Sequence, residues 1–225
     1  MRTHFHIEPF GEYGLLVILG DKIDFEVNRR VHHLSEWLRL SNIHGIRELI
    51  PAYASLLIEF DPFQVDLDTL YNMIFEGLDR IQMAFYRRGK MIEIPTIYGG
   101  DYGPDLDFVA EYNRLTPAEV IRLHSEGEYT VFMMGFSPGF PYLGGMNPRI
   151  ATPRLSSPRT RVPAGSVGIA GNQTGIYPNE SAGGWQLIGW TPVQLFNPEE
   201  APYFLLKPGD RLRFIPVGND IISHD

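Results

Sequence analysis

The chain has 225 residues, of which 44% are hydrophobic and 20% are charged, and it contains no cysteine. This composition is ordinary for a globular protein with a buried core, and the length allows one large domain or two smaller ones. The lack of cysteine excludes disulfides, thiolate metal sites and a cysteine nucleophile. The formal net charge of -8 weighs against a nucleic-acid partner, because such binding relies on lysine and arginine to neutralise phosphates.

The apolar runs of the sequence are too short to form a membrane-spanning helix, so no membrane partner is predicted. No stretch approaches the ~18–20 continuous apolar residues that a membrane helix needs. No apolar signal region follows Met1-Arg2-Thr3-His4, which makes the cytoplasm the expected location. The seven histidines are scattered, and no His-Glu-x-x-His pattern occurs, so no metal site is predicted.

Proline and glycine are distributed unevenly along the chain. Three of the 18 prolines and six of the 23 glycines lie in residues 1–90, and the rest follow. A shift of this size indicates two architectures. We therefore predict an N-terminal domain over residues 1–88 and a C-terminal domain over residues 89–225.

The first half alternates between strand and helix patterns. We expect the helices to turn apolar side chains inward at 3–4-residue spacing. The pattern predicts a small α+β sandwich with a βαββαβ-like order. In chain order the predicted elements are strands over 5–8 and 13–19, a helix over 26–40 burying Val27, Val31, Leu34 and Leu38, strands over 43–50 and 55–60, and a helix from Asp66 burying Leu67, Leu70, Ile74 and Leu78.

The second half begins with a predicted strand over 91–98 and a helix over 105–114. Thr116-Pro117-Ala118-Glu119 then has the pattern of a capped helix start, and this helix is expected to run to about Ser125. Short apolar segments separated by proline and glycine turns follow, which is typical of a β-barrel or sandwich. These predicted strands cover 129–135, 166–170, 185–189 and 211–217.

Residues 135–192 carry the most distinctive strings of the sequence. The first, Gly135-Phe136-Ser137-Pro138-Gly139-Phe140-Pro141-Tyr142-Leu143-Gly144, places aromatic residues between prolines and glycines. Because proline restricts the backbone and glycine allows turns, it predicts a stiff loop that presents its aromatic rings at fixed angles. The later strings are Val162-Pro163-Ala164-Gly165-Ser166-Val167-Gly168-Ile169, Gln173-Thr174-Gly175-Ile176-Tyr177-Pro178 and Gly183-Gly184-Trp185-Gln186-Leu187-Ile188-Gly189.

Together these strings resemble the family variously named 5-oxoprolinase B subunit, Kip-type kinase inhibitor and allophanate hydrolase subunit 1. The resemblance is strong over residues 91–217, and over 1–90 it lies only in the layout of elements. It implies an α+β chain with a small ferredoxin-like N-terminal domain and a cyclophilin-like β-barrel C-terminal domain. It also implies a complex with subunits A and C, of which the latter is a cyclophilin-like sister, that converts 5-oxo-L-proline to L-glutamate and hydrolyses ATP.

The residues of these strings offer parts of a small-molecule site. Arg154, Arg159 and Arg161 are expected to hold a carboxylate or phosphate, because the guanidinium fork matches both anions. His124 is the only histidine within a family-matching string, which makes it the expected general acid–base. Expected neutral hydrogen-bonding groups are Gln173, Thr174, Tyr177 and Gln186, and expected apolar walls are Phe136, Phe140, Tyr142 and Trp185.

Structural explanations compete with each of these roles. The arginines could form a solvated surface edge, Trp185 could belong to the core, and His124 could interact with a helix dipole. No phosphate-binding loop, dinucleotide-binding glycine motif or nucleophile elbow occurs. We therefore expect ATP to bind in another way, at an interface with a sister subunit, and the isolated chain to have little or no activity.

Three other functions fit the same strings. Some Kip-type proteins inhibit a sporulation histidine kinase, which would make this chain a regulatory binding protein. The cyclophilin-like fold suggests peptidyl-prolyl isomerisation, although fold does not fix function. The third alternative is the carboxyl-transfer and allophanate chemistry of urea amidolyases.

Overall fold

The computed structural model describes residues 5–80 and 89–218, and these two ranges form two compact units. We call residues 5–80 the N-terminal unit and residues 89–218 the barrel unit. Within these ranges, no helix is long and apolar enough to cross a membrane.

The N-terminal unit is a four-stranded antiparallel sheet with two helices. Its elements are β1 (His6–Pro9), β2 (Gly14–Ile18), α1 (Phe25–Leu40), β3 (Ile46–Pro51), β4 (Ser55–Phe60) and α2 (Leu67–Arg80). The sheet order is β1-β2-β4-β3. The chain order is thus ββαββα, and β1 takes the edge position that the last strand holds in a βαββαβ fold. The ferredoxin-like layout is confirmed with this change of connectivity.

Local sequence signals set the helices of this unit. The Asp24 carboxylate caps α1 by accepting the N–H groups of Glu26 and Val27. The predicted inward position of Leu67 is wrong: it is 46% exposed, because it lies in the first turn of α2, beyond the sheet-facing part of the helix. The buried apolar core comprises Leu15, Val17, Leu19, Val31, Leu34, Leu38, Leu56, Ile58, Phe60, Val65, Leu70 and Ile74.

The second unit is a closed seven-stranded barrel. Its elements are β5 (Met91–Tyr98), α3 (Leu106–Tyr112), α4 (Pro117–Ser125), β6 (Tyr129–Met134), β7 (Pro141–Gly144), β8 (Arg159–Val162), β9 (Ser166–Ala170), β10 (Gln173–Ile176), β11 (Ser181–Gly183), β12 (Gln186–Trp190) and β13 (Arg211–Pro216). The barrel closes in the order β10-β7-β6-β13-β5-β12-β9, while β8 and β11 pair as a separate ribbon. The predicted barrel is confirmed.

The capped start of α4 is also confirmed. Thr116 Oγ1 accepts the N–H of Glu119, and the Glu119 carboxylate accepts the N–H of Thr116. Four short strands, β7, β8, β10 and β11, were not predicted, and β7 lies within the expected loop. The pairing of β7 with both β6 and β10 satisfies backbone groups that a loop would leave to solvent.

Candidate functional site

Five aromatic side chains gather on the outer side of the barrel wall: Phe136, Phe140, Tyr142, Tyr177 and Trp185. We call this cluster the aromatic face. Strand alternation explains its position. Leu143 and Ile176 pack in the main core, and their chain neighbours Tyr142 and Tyr177 therefore point to the opposite side of the wall. Phe140, Tyr177 and Trp185 form a second buried cluster there, together with Val162, Ala170 and Leu187.

Two glycines allow these rings to lie directly on the backbone. A Cβ atom at Gly175 would stand 3.0 Å from the Phe140 ring and 3.0 Å from the Pro141 carbonyl oxygen. A Cβ atom at Gly183 would overlap the Tyr177 hydroxyl. The glycine-rich strings of the sequence therefore provide close approach between ring and strand at these two positions.

Phe140 is the centre of the aromatic face. Its ring centroid lies 5.4 Å from that of Trp185, 5.2 Å from that of Tyr177 and 4.9 Å from that of Tyr142. The pairs with Trp185 and Tyr177 are edge-to-face, and such pairs contribute roughly 0.5–1.5 kcal/mol each beyond area burial. Because Phe140 and Trp185 are also almost fully buried, they form a rigid support for the exposed side chains of Phe136 and Arg154 that contact them.

Phe136 presents a strained, exposed ring at the edge of this face. Its φ of +67° lies in the left-handed region, which costs a residue with a Cβ roughly 1–2 kcal/mol. The ring is 62% exposed, yet it packs edge-on against Phe140 and Tyr177. Strain held in this way is concentrated at binding and catalytic sites, so Phe136 has the properties of a contact residue.

The structure places the three predicted arginines in different environments. Arg159 Nη2 donates to Asp105 Oδ1 at 2.6 Å, and the other oxygen of Asp105 accepts the N–H of Leu187. Arg161 pairs with Glu180 at 2.7 Å on the exposed side of the ribbon. Arg154 is exposed, and its Cζ lies 5.9 Å from the centroid of a ring of the aromatic face, that of Trp185.

His124 lies in the barrel interior, fully buried. Its Nδ1 is 2.7 Å from the Tyr98 hydroxyl and its Nε2 is 2.9 Å from Thr174 Oγ1. Since Thr174 donates its own proton to the Gly168 carbonyl, its oxygen accepts from His124 Nε2–H. Nδ1 is then the acceptor for Tyr98, which gives one continuous chain of donors from Tyr98 to Gly168.

This chain of hydrogen bonds argues against an acid–base role for His124. Burial lowers its pKa to about 3, so the ring is neutral near pH 7. Both ring nitrogens and the Thr174 hydroxyl already have partners inside the barrel. His124 and Thr174 thus hold the barrel together through internal hydrogen bonds, and their expected acid–base and ligand-binding roles stay predictions.

The remaining predicted polar residues are only partly available. Gln186 is 2% exposed and donates from Nε2 to the Pro153 carbonyl, while its buried Oε1 accepts no hydrogen bond from the described residues. Tyr177 is 1% exposed, and burial raises the pKa of its hydroxyl. Gln173 is half-buried at the start of β10. Of the predicted residues, Arg154, Arg161 and Phe136 are exposed, and Arg159, Tyr142 and Gln173 are half-buried.

Sequence reasoning missed two residues that organise this region. Asp105 ties β8 to β12 through Arg159 and Leu187, and Tyr98 fixes the His124 ring. Both lie within residues 91–217, where the resemblance to the family is strong, so the signal was present without an indication of role. In the described part of the chain, no three histidine, aspartate or glutamate side chains are placed to hold a metal ion.

A family profile described as "Carboxyltransferase domain, subdomain C and D" matches residues 5–206. The B subunit of the 5-oxoprolinase of Bacillus subtilis is 43% identical over 96% of this chain and 95% of its own length. The protein of the same name from Haemophilus influenzae is 40% identical over 96% of this chain and 100% of its own length. This chain belongs to the family of 5-oxoprolinase B subunits.

Solved structures and larger enzymes contain the same fold. The crystal structure of TTHA0988 is 37% identical with a TM-score of 0.81, covering 92% of this chain and 40% of that longer chain. Urea carboxylase of Kluyveromyces lactis has a TM-score of 0.78 at 23% identity, covering 96% of this chain and 22% of its own. Urea amidolyase of Saccharomyces cerevisiae is 27% identical over 93% of this chain and 13% of its own length.

Proposed function

We propose that this chain is the B subunit of a 5-oxoprolinase, which opens 5-oxo-L-proline to L-glutamate with ATP and acts together with subunits A and C. The observation that carries the proposal is identity of 39–43% over nearly the full length of three proteins named as 5-oxoprolinase B subunits. The urea enzymes are less similar, and this chain accounts for only a small part of them.

The chemistry explains why such an enzyme needs several parts. The lactam is a stable amide, and transfer of the ATP γ-phosphoryl group to its carbonyl oxygen makes the ring carbon reactive toward water. The complex must therefore bind a small carboxylate and ATP, and it must exclude water until the activated species has formed. A site shared between subunits can meet both demands.

This chain offers supporting surfaces for that reaction. No phosphate-binding loop motif occurs in the sequence, and His124 is sealed inside the barrel. The aromatic face and Arg154 are suited to holding an anionic molecule. We infer that the isolated chain has little activity and that other subunits contribute reacting groups.

The direct test is ATP-dependent glutamate release from 5-oxoproline by this chain mixed with subunits A and C. We expect full activity from the three-part mixture and loss of activity when this chain is omitted. Equal activity without this chain would contradict the proposal. No activity from a mixture whose three members are shown to be folded would also contradict it.

Urea-type chemistry is the second candidate, because the family profile is named for a carboxyltransferase domain and the fold matches urea carboxylase. Carboxyl transfer to urea, measured with a biotin-carrying partner and a biotin carboxylase, separates the two functions. Kinase inhibition and peptidyl-prolyl isomerisation stay predictions.

Phe136 is the side chain that we expect to contact the cyclophilin-like sister, the C subunit. The Phe136→Ala variant should weaken this association by about 10-fold or more, because buried aromatic anchors dominate the energy of interfaces. Phe108→Ala is a matched control, since Phe108 is 48% exposed on α3 in the same unit. Titration calorimetry at micromolar concentrations measures the change, and equal dissociation constants for wild type and Phe136→Ala would rule out this contact.

A further inference from the structure

We infer that Arg154, which lies beside the aromatic face, binds the anionic group of a substrate, a carboxylate or a phosphate. The inference rests on the proposed function and goes beyond it by assigning the anion contact to one residue. The sequence gives no reason to prefer one of the three arginines Arg154, Arg159 and Arg161 as the anion contact. In the structure the three have different partners.

Two of the three arginines already have a carboxylate partner. Arg159 is half-buried and bonds to Asp105, whose side chain is only 11% exposed. Removing Arg159 from that carboxylate to bind a ligand would leave the Asp105 charge buried without a partner, which is costly. Arg161 forms an ion pair with Glu180 and is 76% exposed on the ribbon. Arg154 forms no ion pair with any acid in residues 5–80 or 89–218.

The position of Arg154 suits anion binding. Its guanidinium lies over Trp185, and that ring is held by the Phe140 ring 5.4 Å away. At 5.9 Å from the ring centroid the guanidinium is within range of a cation–π attraction, and its N–H groups stay available for two parallel hydrogen bonds to a carboxylate or phosphate. This arrangement combines a planar apolar support with a bidentate donor.

The electrostatic surroundings of the face agree with this role. Burial raises the pKa of Tyr142, and the positive charge of Arg154 partly offsets that rise. At Tyr177 burial likewise raises the pKa of the hydroxyl, and the positive charges of Arg154 and Arg159 partly offset that rise.

Two molecules in the proposed reaction carry a suitable anion. 5-Oxoproline has a carboxylate on a small planar ring, and ATP has phosphates. The contacts fit either group, since both present paired oxygens to the fork. Separate Michaelis constants for the two substrates identify which of them Arg154 binds.

The experiment uses the complete complex with wild-type chain, Arg154→Ala, Arg154→Lys and the control Arg122→Ala. Arg122 is an exposed arginine of α4 paired with Glu126, remote in role from the aromatic face. We expect Arg154→Ala to raise KM for one substrate by about 10-fold or more, as loss of hydrogen bonds to a charged group predicts. Arg154→Lys should recover only part of the affinity, because it keeps the charge but not the fork.

The outcomes separate this inference from the proposed function. A rise in KM for 5-oxoproline assigns the carboxylate to Arg154, and a rise in KM for ATP assigns a phosphate. Unchanged KM values for both substrates in an active Arg154→Ala complex would overturn the inference and leave the function standing. If Arg154→Ala abolishes turnover, equilibrium dialysis of 5-oxoproline and ATP decides, and unchanged binding of both would overturn it. A wild-type complex without turnover would remove the proposed function itself.

Discussion

The barrel unit is expected to lose about 2 kcal/mol of unfolding free energy between pH 6.5 and pH 5 through His124 alone. Burial lowers the pKa of His124 in the folded state to about 3, from 6.5. Between pH 6.5 and pH 3, His124 therefore binds a proton in the unfolded chain and stays neutral in the folded chain. This contribution is fully present above pH 6.5 and is lost at about 1.4 kcal/mol per pH unit until about pH 3.

The His124→Gln variant isolates this effect, because it removes the titrating ring. We expect lower stability than wild type at pH 7, since Tyr98 and Thr174 lose well-placed partners, together with a flatter dependence on pH. His44→Gln, at an exposed position of the N-terminal unit, is the control. Hydrogen exchange of barrel peptides measures the opening free energy of this unit separately. Parallel pH profiles for wild type and His124→Gln would show that His124 does not carry the effect.

Carboxylates do not obscure this comparison. The surroundings of Asp61, Asp66, Glu119 and Glu128 lower the pKa of each. Their contributions are present above their ordinary pKa values near 4 and are lost at lower pH, largely below the pH 5–6.5 window. They are also common to wild type and His124→Gln, so the difference between the two profiles removes them.

Elements with local signals could be predicted from the sequence, and the shortest strands, which depend on distant pairing, could not. The capping box at Thr116 and the helical spacing of Val31, Leu34 and Leu38 depend on neighbouring residues, and both were predicted correctly. Strand β7 has only four residues, beginning with Pro141, and it is a strand because β6 and β10 pair with it. Barrel closure is the physical cause, and a short glycine-rich segment carries little local sign of it.

The candidate site shows the same division. Four rings of the aromatic face were expected as apolar walls because they lie in a few dense strings of sequence, while the fifth, that of Tyr177, was expected only as a hydrogen-bonding group. The different partners of the three arginines were not predicted, because Asp105 is 54 residues from Arg159 in the chain. The burial of His124 had a readable signal, because Val120 and Leu123 lie on the same face of α4 and are also buried. A family string marks residues that matter, but it does not separate those that hold the fold from those that contact a ligand.

Replacement of Asp105 by alanine is expected to lower the unfolding free energy of the barrel unit by about 2–3 kcal/mol, because it leaves a half-buried guanidinium and the N–H of Leu187 without their partner. The Asp105 carboxylate bonds at 2.6 Å to both Arg159 Nη2 and the N–H of Leu187. Arg159 also donates to the Trp185 carbonyl at 3.4 Å, so the same change loosens the support of the aromatic face.

Arg159→Met tests whether the unpaired charge is the cause. We expect the double variant Asp105→Ala/Arg159→Met to be more stable than Asp105→Ala, because neither charge is then left buried alone. Recovery should be incomplete, since the N–H of Leu187 still lacks its acceptor. Glu180→Ala, which breaks the exposed pair with Arg161, should cost less than about 1 kcal/mol. If Asp105→Ala were no more destabilising than Glu180→Ala in hydrogen exchange of barrel peptides, Asp105 would not be the tie between ribbon and barrel.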